Sequence, residues 1–271
     1  MTYGAEHGRT VYGDAAYDMG SPEFFDRLDR EFYSWNRPLH DARPFDRLFP
    51  YERYQDGKKV LEIGCGLGTL AMNWARNGAD ITAVDLNPTS IEQTRRRFSL
   101  MKLSGRIEPM DARHLAFADA SFDYAYSWGV LHHSPQLDQS LKEMMRVLKS
   151  GGGFGIMLYN RRSLLHWYKT ILIEGFLHDE SRFLGSLELA SRYGDGARAE
   201  GNPHTWPVTK RELREMLAPY SKDLRLRVLG TDLDAVFHSM LPGLGLVLPA
   251  WAKKPWARRF GWSLWAFGHK N

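Results

Sequence analysis

The chain has 271 residues, 43% of them hydrophobic, with a formal net charge of +4 and a pI near 9.1, enough for one large core in a single elaborated domain. Its one cysteine, Cys65, excludes an internal disulfide framework and a cysteine-built zinc site, and no leader-like apolar segment opens the sequence, so a reducing, cytoplasmic setting is expected. Lys and Arg are scattered rather than gathered in one tract, which reads as a solvated basic surface and not as a nucleic-acid footprint.

Residues 1–57 read as an N-terminal cap. They are rich in aromatic side chains (Tyr3, Tyr12, Tyr17, Phe24, Phe25, Phe32, Tyr33, Trp35) and are interrupted by Pro22, Pro38, Pro44 and Pro50. Ser21 is placed to cap a helix with Pro22 in its first turn, and Phe24, Phe25, Leu28, Phe32 and Trp35 recur at helical spacing as a core stripe.

From Lys58 the pattern changes to short apolar runs at 60–63, 81–85, 107–110, 122–127 and 154–159, separated by helical stretches. Strand alternating with helix predicts an α/β fold, a doubly wound and mostly parallel sheet whose ligand crevice lies at the carboxyl ends of the strands. Asn87 and Pro88 start one helix; Leu137, Leu141, Met144 and Leu148 mark another, which Gly151, Gly152 and Gly153 are expected to stop. A helical insertion at about 161–206 follows the fifth strand, and Thr209 with Glu212 forms a capping box for a helix at 210–218. Strands at 224–228 and 262–267 complete seven, so that 58–271 reads as one domain.

The apolar stretch 240–251 holds two prolines and is too short and broken to span a bilayer. Lys253, Lys254, Arg258 and Arg259 follow it, among Trp251, Trp256, Trp262 and Trp265. Segment 240–259 therefore suits a peripheral membrane contact, a dimer contact or the lining of a lipid pocket, with core packing as the default. Arg95, Arg96 and Arg97 read as a solvated helix face.

The motifs that carry chemistry lie between 58 and 160. The first strand runs directly into Gly64-Cys65-Gly66-Leu67-Gly68, a turn whose backbone a ligand can approach closely. The dinucleotide spacing G-x-G-x-x-G would need a third glycine where Thr69 stands. Asp85 ends the second strand, at a distance suited to accepting hydrogen bonds from ribose hydroxyls, and also favours the dipole of the helix that follows. Asp111 and Ala112 follow the third strand, and the fourth leads through Ser127, Trp128, Gly129 and Val130 to His132 and His133.

Residues 58–160 together resemble the class I S-adenosylmethionine-dependent methyltransferases, in particular the broad group that includes quinone-biosynthesis and many small-molecule enzymes. The resemblance covers a little over a third of the chain. It implies a Rossmann-like methyltransferase fold and S-adenosylmethionine as cofactor, with no metal. By that likeness Glu62, Gly64, Cys65, Gly66 and Gly68 line the methionine and ribose end, Asp85 and Leu86 hold the ribose, Asp111 and Ala112 hold the adenine, and Ser127 and Trp128 lie beside the sulfonium.

A sulfonium methyl is already activated, so holding a nucleophile in line is the main requirement. Where the acceptor must lose a proton, His132 and His133 are candidate bases, although adjacent side chains after a strand cannot both enter one site; His204, in the loop of the insertion, is a third. The expected function is methyl transfer to a small organic acceptor, with oxygen, nitrogen, carbon or sulfur open. The alternatives are a methyltransferase for peptide or RNA and a non-enzymatic regulatory subunit of the same fold. Against the latter, Gly64, Gly66, Gly68 and Asp85 are all intact. A nicotinamide-dependent oxidoreductase is disfavoured by the glycine spacing.

Overall fold

In the computed structural model the described residues are 9–10, 13–14, 18–194, 202–230, 232–241 and 247–271. Tyr3, Tyr12, Tyr17, residues 195–201 and residues 242–246 of the apolar stretch lie outside them. Seven strands form the main sheet: β1 (Lys59–Ile63), β2 (Asp80–Asp85), β3 (Arg106–Pro109), β4 (Phe122–Trp128), β5 (Leu148–Tyr159), β6 (Arg225–Leu229) and β7 (Ser263–His269). Their order is β3-β2-β1-β4-β5-β7-β6. All neighbours are parallel except β7, which runs antiparallel to both β5 and β6. The order reverses between β1 and β4, and this switch point opens the crevice at the carboxyl edge. The seven expected strands are present, and the fold is the doubly wound one that the alternation predicts.

Helix α1 (Pro22–Trp35) begins as its sequence dictates: Ser21 Oγ accepts from the Phe24 N–H at 3.1 Å, and Phe24, Phe25, Leu28 and Phe32 are buried. Trp35, expected in that stripe, is 46% exposed. After α1, Phe45, Phe49, Tyr51 and Tyr54 pack among Trp74, Tyr124, Tyr126, Trp128 and Trp265. Phe49 alone meets Tyr126 at a centroid distance of 4.8 Å, Trp74 at 5.6 Å and Trp265 at 5.7 Å. The first two pairs are tilted and the third meets edge to face, and large buried rings of this kind contribute much apolar stabilisation.

Helices α2 (Thr69–Arg76), α3 (Pro88–Leu100) and α4 (Leu137–Val147) connect the parallel strands. Asn87 caps α3 by accepting from the Thr89 N–H at 2.8 Å. The glycine run does not stop α4, which ends at Val147; Gly151, Gly152 and Gly153 belong to β5. The reason is close approach. A Cβ on Gly153 would lie 2.2 Å from the Tyr54 hydroxyl, and one on Gly155 would lie 2.3 Å from the Trp265 ring, so these positions stay bare to admit aromatic side chains.

The arginine run also departs from expectation. Arg95 and Arg96 are exposed, but Arg97 is completely buried. After β5 come a π-helix (His166–Leu177) and α5 (Ser186–Tyr193), then α6 (Lys210–Leu217) with the Thr209–Glu212 capping box in place. Helices α7 (Leu233–Met240) and α8 (Ala250–Phe260) lie between β6 and β7.

Candidate functional site

The carboxyl edge of β1 turns through Gly64, Gly66 and Gly68, at φ of +83°, +52° and +79°. Left-handed backbone favours glycine at each. At Gly64 the space matters as well, because a Cβ there would lie 2.3 Å from the Val130 side chain. The turn is pinned from several sides. The N–H groups of Gly64 and Cys65 donate to the Val84 carbonyl at 2.7 and 3.0 Å. Gly66 N–H donates to Asp85 Oδ2 at 2.9 Å, and Thr94 Oγ1 donates to the Gly66 carbonyl at 2.9 Å. Beneath the turn Glu62 is 2% exposed, Oε2 has no hydrogen-bond partner, and burial pushes the carboxyl well above the usual range. Burial likewise raises the Cys65 thiol, which disfavours the thiolate.

Asp85 is 9% exposed and accepts from Asn87 N–H through Oδ1 at 2.9 Å. Burial raises its carboxyl, and the backbone donors only partly offset this. Next to it Leu86 is 71% exposed, an apolar shelf beside an acid. Asp111 and Ala112, after β3, are both partly exposed. The Arg113 guanidinium grips both Asp111 oxygens at 2.6–3.1 Å and holds the carboxyl below its ordinary value. Ser127 and Trp128 end β4 as expected but are turned inward: Ser127 Oγ donates to the Ile63 carbonyl at 2.9 Å, and the Trp128 ring meets Phe45 at 5.0 Å.

The histidines separate. His132 is fully buried, neither ring nitrogen has a hydrogen-bond partner, and burial lowers its pKa well below the usual value. Its ring lies 3.8 Å from Tyr159 and 4.2 Å from His133, centroid to centroid. His133 is partly exposed, and its Nδ1 lies 3.0 Å from the His204 carbonyl and 3.2 Å from Thr205 Oγ1. The Trp206 N–H donates to the His132 carbonyl at 2.8 Å. The loop after α5 is thereby tied to the end of β4, with His204 contributing its backbone while its ring stacks on Trp206. Tyr159 continues the ring column to Trp262 at 4.3 Å.

Glu62, the glycine turn, Asp85, Leu86, Asp111 and Ala112 thus meet along the carboxyl ends of β1, β2 and β3, and His132 and His133 stand after β4. A reading of the sequence misses Val130, Thr94 and Arg113, whose roles depend on which atom faces the turn or the acid. A cleft of about 320 Å³ lined by Lys59, Asp80, Thr82, Arg106 and Phe122 lies at the opposite edge of the sheet and holds none of these residues; in an open α/β sheet the ligand side is the carboxyl edge. Among the described residues no cluster of three or more His, Cys, Asp or Glu could hold a metal ion, and no helix is long and apolar enough to cross a membrane.

A methyltransferase-domain family model matches residues 60–152. The methyltransferase GfsG of Streptomyces halstedii is 30% identical over 257 residues, covering 92% of this chain and 87% of that protein. The ubiquinone biosynthesis O-methyltransferase of Chromobacterium violaceum is 30% identical over 200 residues, covering 67% and 82% respectively. Among solved structures, the PH0226 protein of Pyrococcus horikoshii superposes with a TM-score of 0.58 at 20% identity, over 98% of this chain and 99% of that one, a likeness of fold.

Proposed function

The chain belongs to the class I S-adenosylmethionine-dependent methyltransferases, and from that premise we propose that it methylates a small, largely apolar organic acceptor at an atom that must shed a proton, with His133 as the base. The observation that carries this reading is the contact of His133 Nδ1 with the His204 carbonyl at 3.0 Å. A carbonyl only accepts, so Nδ1 holds the ring proton and the lone pair falls on Nε2. A base whose other nitrogen is oriented by a fixed acceptor has the arrangement that proton abstraction needs. His132, sealed between Tyr159 and His133, suits a packing role.

The residues present suit an adenosyl cofactor. The glycine turn offers backbone without side chains, Asp85 offers a buried carboxylate for a sugar, and Leu86 offers an exposed apolar shelf for a base. When bound, S-adenosylmethionine supplies a methyl group already activated on a sulfonium. The chain supplies the rest: Gly64, Gly66 and Gly68 with Asp85 hold the cofactor, Asp111 and Ala112 border its adenine end, and His133 accepts the acceptor's proton.

An apolar acceptor is supported by where large exposed side chains gather. Trp167, Phe176 and Phe183 lie in the insertion after β5, and Trp251 and Trp256 lie on α8; both segments leave the sheet at its carboxyl edge. The named role of the Chromobacterium violaceum relative supports an oxygen acceptor. In this reading residues up to 57 cap the cofactor side and 161–206 wall the acceptor side. The enzyme works in the cytoplasm, with 240–259 available for peripheral membrane or dimer contact.

Calorimetric titration with S-adenosylmethionine, S-adenosylhomocysteine and NAD tests the cofactor, and mass spectrometry of metabolite extracts for the gain of one methyl group tests the acceptor. Binding of the adenosyl ligands but not NAD, with a methylated small molecule as product, is the expected result. Methylation confined to peptide or RNA fractions would overturn the acceptor class, and absence of adenosyl binding would overturn the cofactor assignment.

A further inference from the structure

We propose that Arg97 and Asp29 are positioning residues that couple docking of α1 to the geometry of the cofactor turn; this rests on reading that turn as the S-adenosylmethionine site. Helix α3 presents two side chains three residues apart, hence on one face, to successive carbonyls of the turn. Thr94 Oγ1 donates to Gly66 O at 2.9 Å, and Arg97 Nη1 donates to Leu67 O at 3.0 Å. Arg97 Nη1 also donates to Thr69 Oγ1 at 2.9 Å, and that hydroxyl donates to Asp29 Oδ1 at 3.0 Å. Asp29, on α1, pairs directly with Arg97 Nη2, and the guanidinium lies 5.0 Å from the Phe25 ring of the same helix.

Burial makes this chain of contacts conditional. The Arg97 side chain is 0% exposed and that of Asp29 13%. Keeping a guanidinium out of water is costly unless its counter-charge stays in place. If α1 lifts away, Asp29 and Phe25 go with it, and Arg97 must swing toward solvent and release the Leu67 carbonyl. Peptide units are planar, so holding the Gly66 and Leu67 carbonyls toward α3 also fixes the direction of the N–H groups of Leu67 and Gly68 on their far sides. The state of α1 therefore reaches the cofactor turn through two hydrogen-bonded side chains. By linkage, cofactor binding must tighten α1 to the same degree.

The test uses the full chain with S-adenosylhomocysteine as probe. Asp29→Asn is expected to weaken calorimetric affinity on the order of tenfold, and Asp29→Glu to recover part of the loss. In the wild type the probe is expected to slow amide exchange of residues 24–34, and in Asp29→Asn to lose that effect. A pair serving stability alone would lower the melting temperature of Asp29→Asn while leaving its affinity and the exchange response of α1 at wild-type values, which would overturn the coupling. Should Asp29→Asn fail to fold, exchange in the wild type decides: slowing of α1 supports the coupling, and no slowing overturns it. Absence of any binding by the wild type would instead overturn the cofactor reading, and the coupling with it.

Discussion

Gly66 donates its backbone N–H to one oxygen of the Asp85 carboxylate at 2.9 Å, and Asn87 donates to the other at the same distance. The acid assigned to the ribose thus also holds the glycine turn and the start of α3. Asp85→Asn replaces one acceptor oxygen with a donor facing a backbone N–H, and Asp85→Ala removes both. Hydrogen bonds to a charged group contribute about 1.5–3 kcal/mol each, so either change should weaken S-adenosylhomocysteine binding by roughly ten- to a hundredfold in calorimetry. Unchanged affinity in a folded Asp85→Asn protein would remove the ribose assignment.

His133 and His132 should divide into one chemical and one structural effect. His133→Ala should lower kcat by about 10²–10⁴-fold, the usual contribution of a positioned base, with cofactor affinity intact. His132→Ala empties a fully enclosed site and should cost on the order of 2–4 kcal/mol of stability, measured by denaturant unfolding, while the folded fraction keeps its turnover. His204→Ala should change kcat little, because that residue acts through its carbonyl. Wild-type turnover in His133→Ala would mean that the acceptor needs no base.

The periodicity and punctuation of the sequence are sufficient for the seven strands, the Ser21, Asn87 and Thr209 caps and the order of the motifs, because these are local properties. What escapes it is tertiary. The glycines at 151–153 look like a helix stop until they are seen to lie in β5, where Tyr54, distant in sequence, occupies the space a side chain at Gly153 would need. Arg97 looks like its exposed neighbours until α1 covers it. Asp111 is legible as a crevice acid, but its clamp by Arg113 is not, since a two-residue spacing gives no sign of a bidentate pair. His204 is legible as a loop residue near the site, whereas the use of its carbonyl depends on how the loop lands on His133.

Gly64 combines two constraints that a pair of variants separates. Gly64→Ala meets left-handed backbone and a clash with Val130 at 2.3 Å, and should cost on the order of 1–3 kcal/mol from overpacking besides the backbone strain. Val130→Ala in the same chain relieves the contacts with the two γ-carbons but leaves the Cβ of residue 130 at 2.7 Å and the backbone strain in place. The double variant should therefore recover only part of the stability, and little of the affinity for S-adenosylhomocysteine. Full recovery of both would show that crowding alone requires glycine there.

The pH dependence of stability should carry two opposing contributions. Burial lowers His166 from 6.5 to about 4, so the folded state resists a proton that the unfolded chain accepts. Its stability is present above pH 6.5 and is lost as the pH falls from about 6.5 to about 4. Glu62 works the other way. Its carboxyl is raised by burial, so the folded state keeps a proton that the unfolded chain gives up, and stability is lost as the pH rises above the ordinary carboxylate range toward the raised folded value. His166→Gln should flatten the acid limb of a melting-temperature profile. Glu62→Gln should gain a few degrees at neutral pH, where about 2–4 °C corresponds to 1 kcal/mol in a chain of this size, and the gain should vanish near pH 4. A Glu62→Gln gain that persists unchanged to pH 4 would assign the effect to packing rather than to the buried proton.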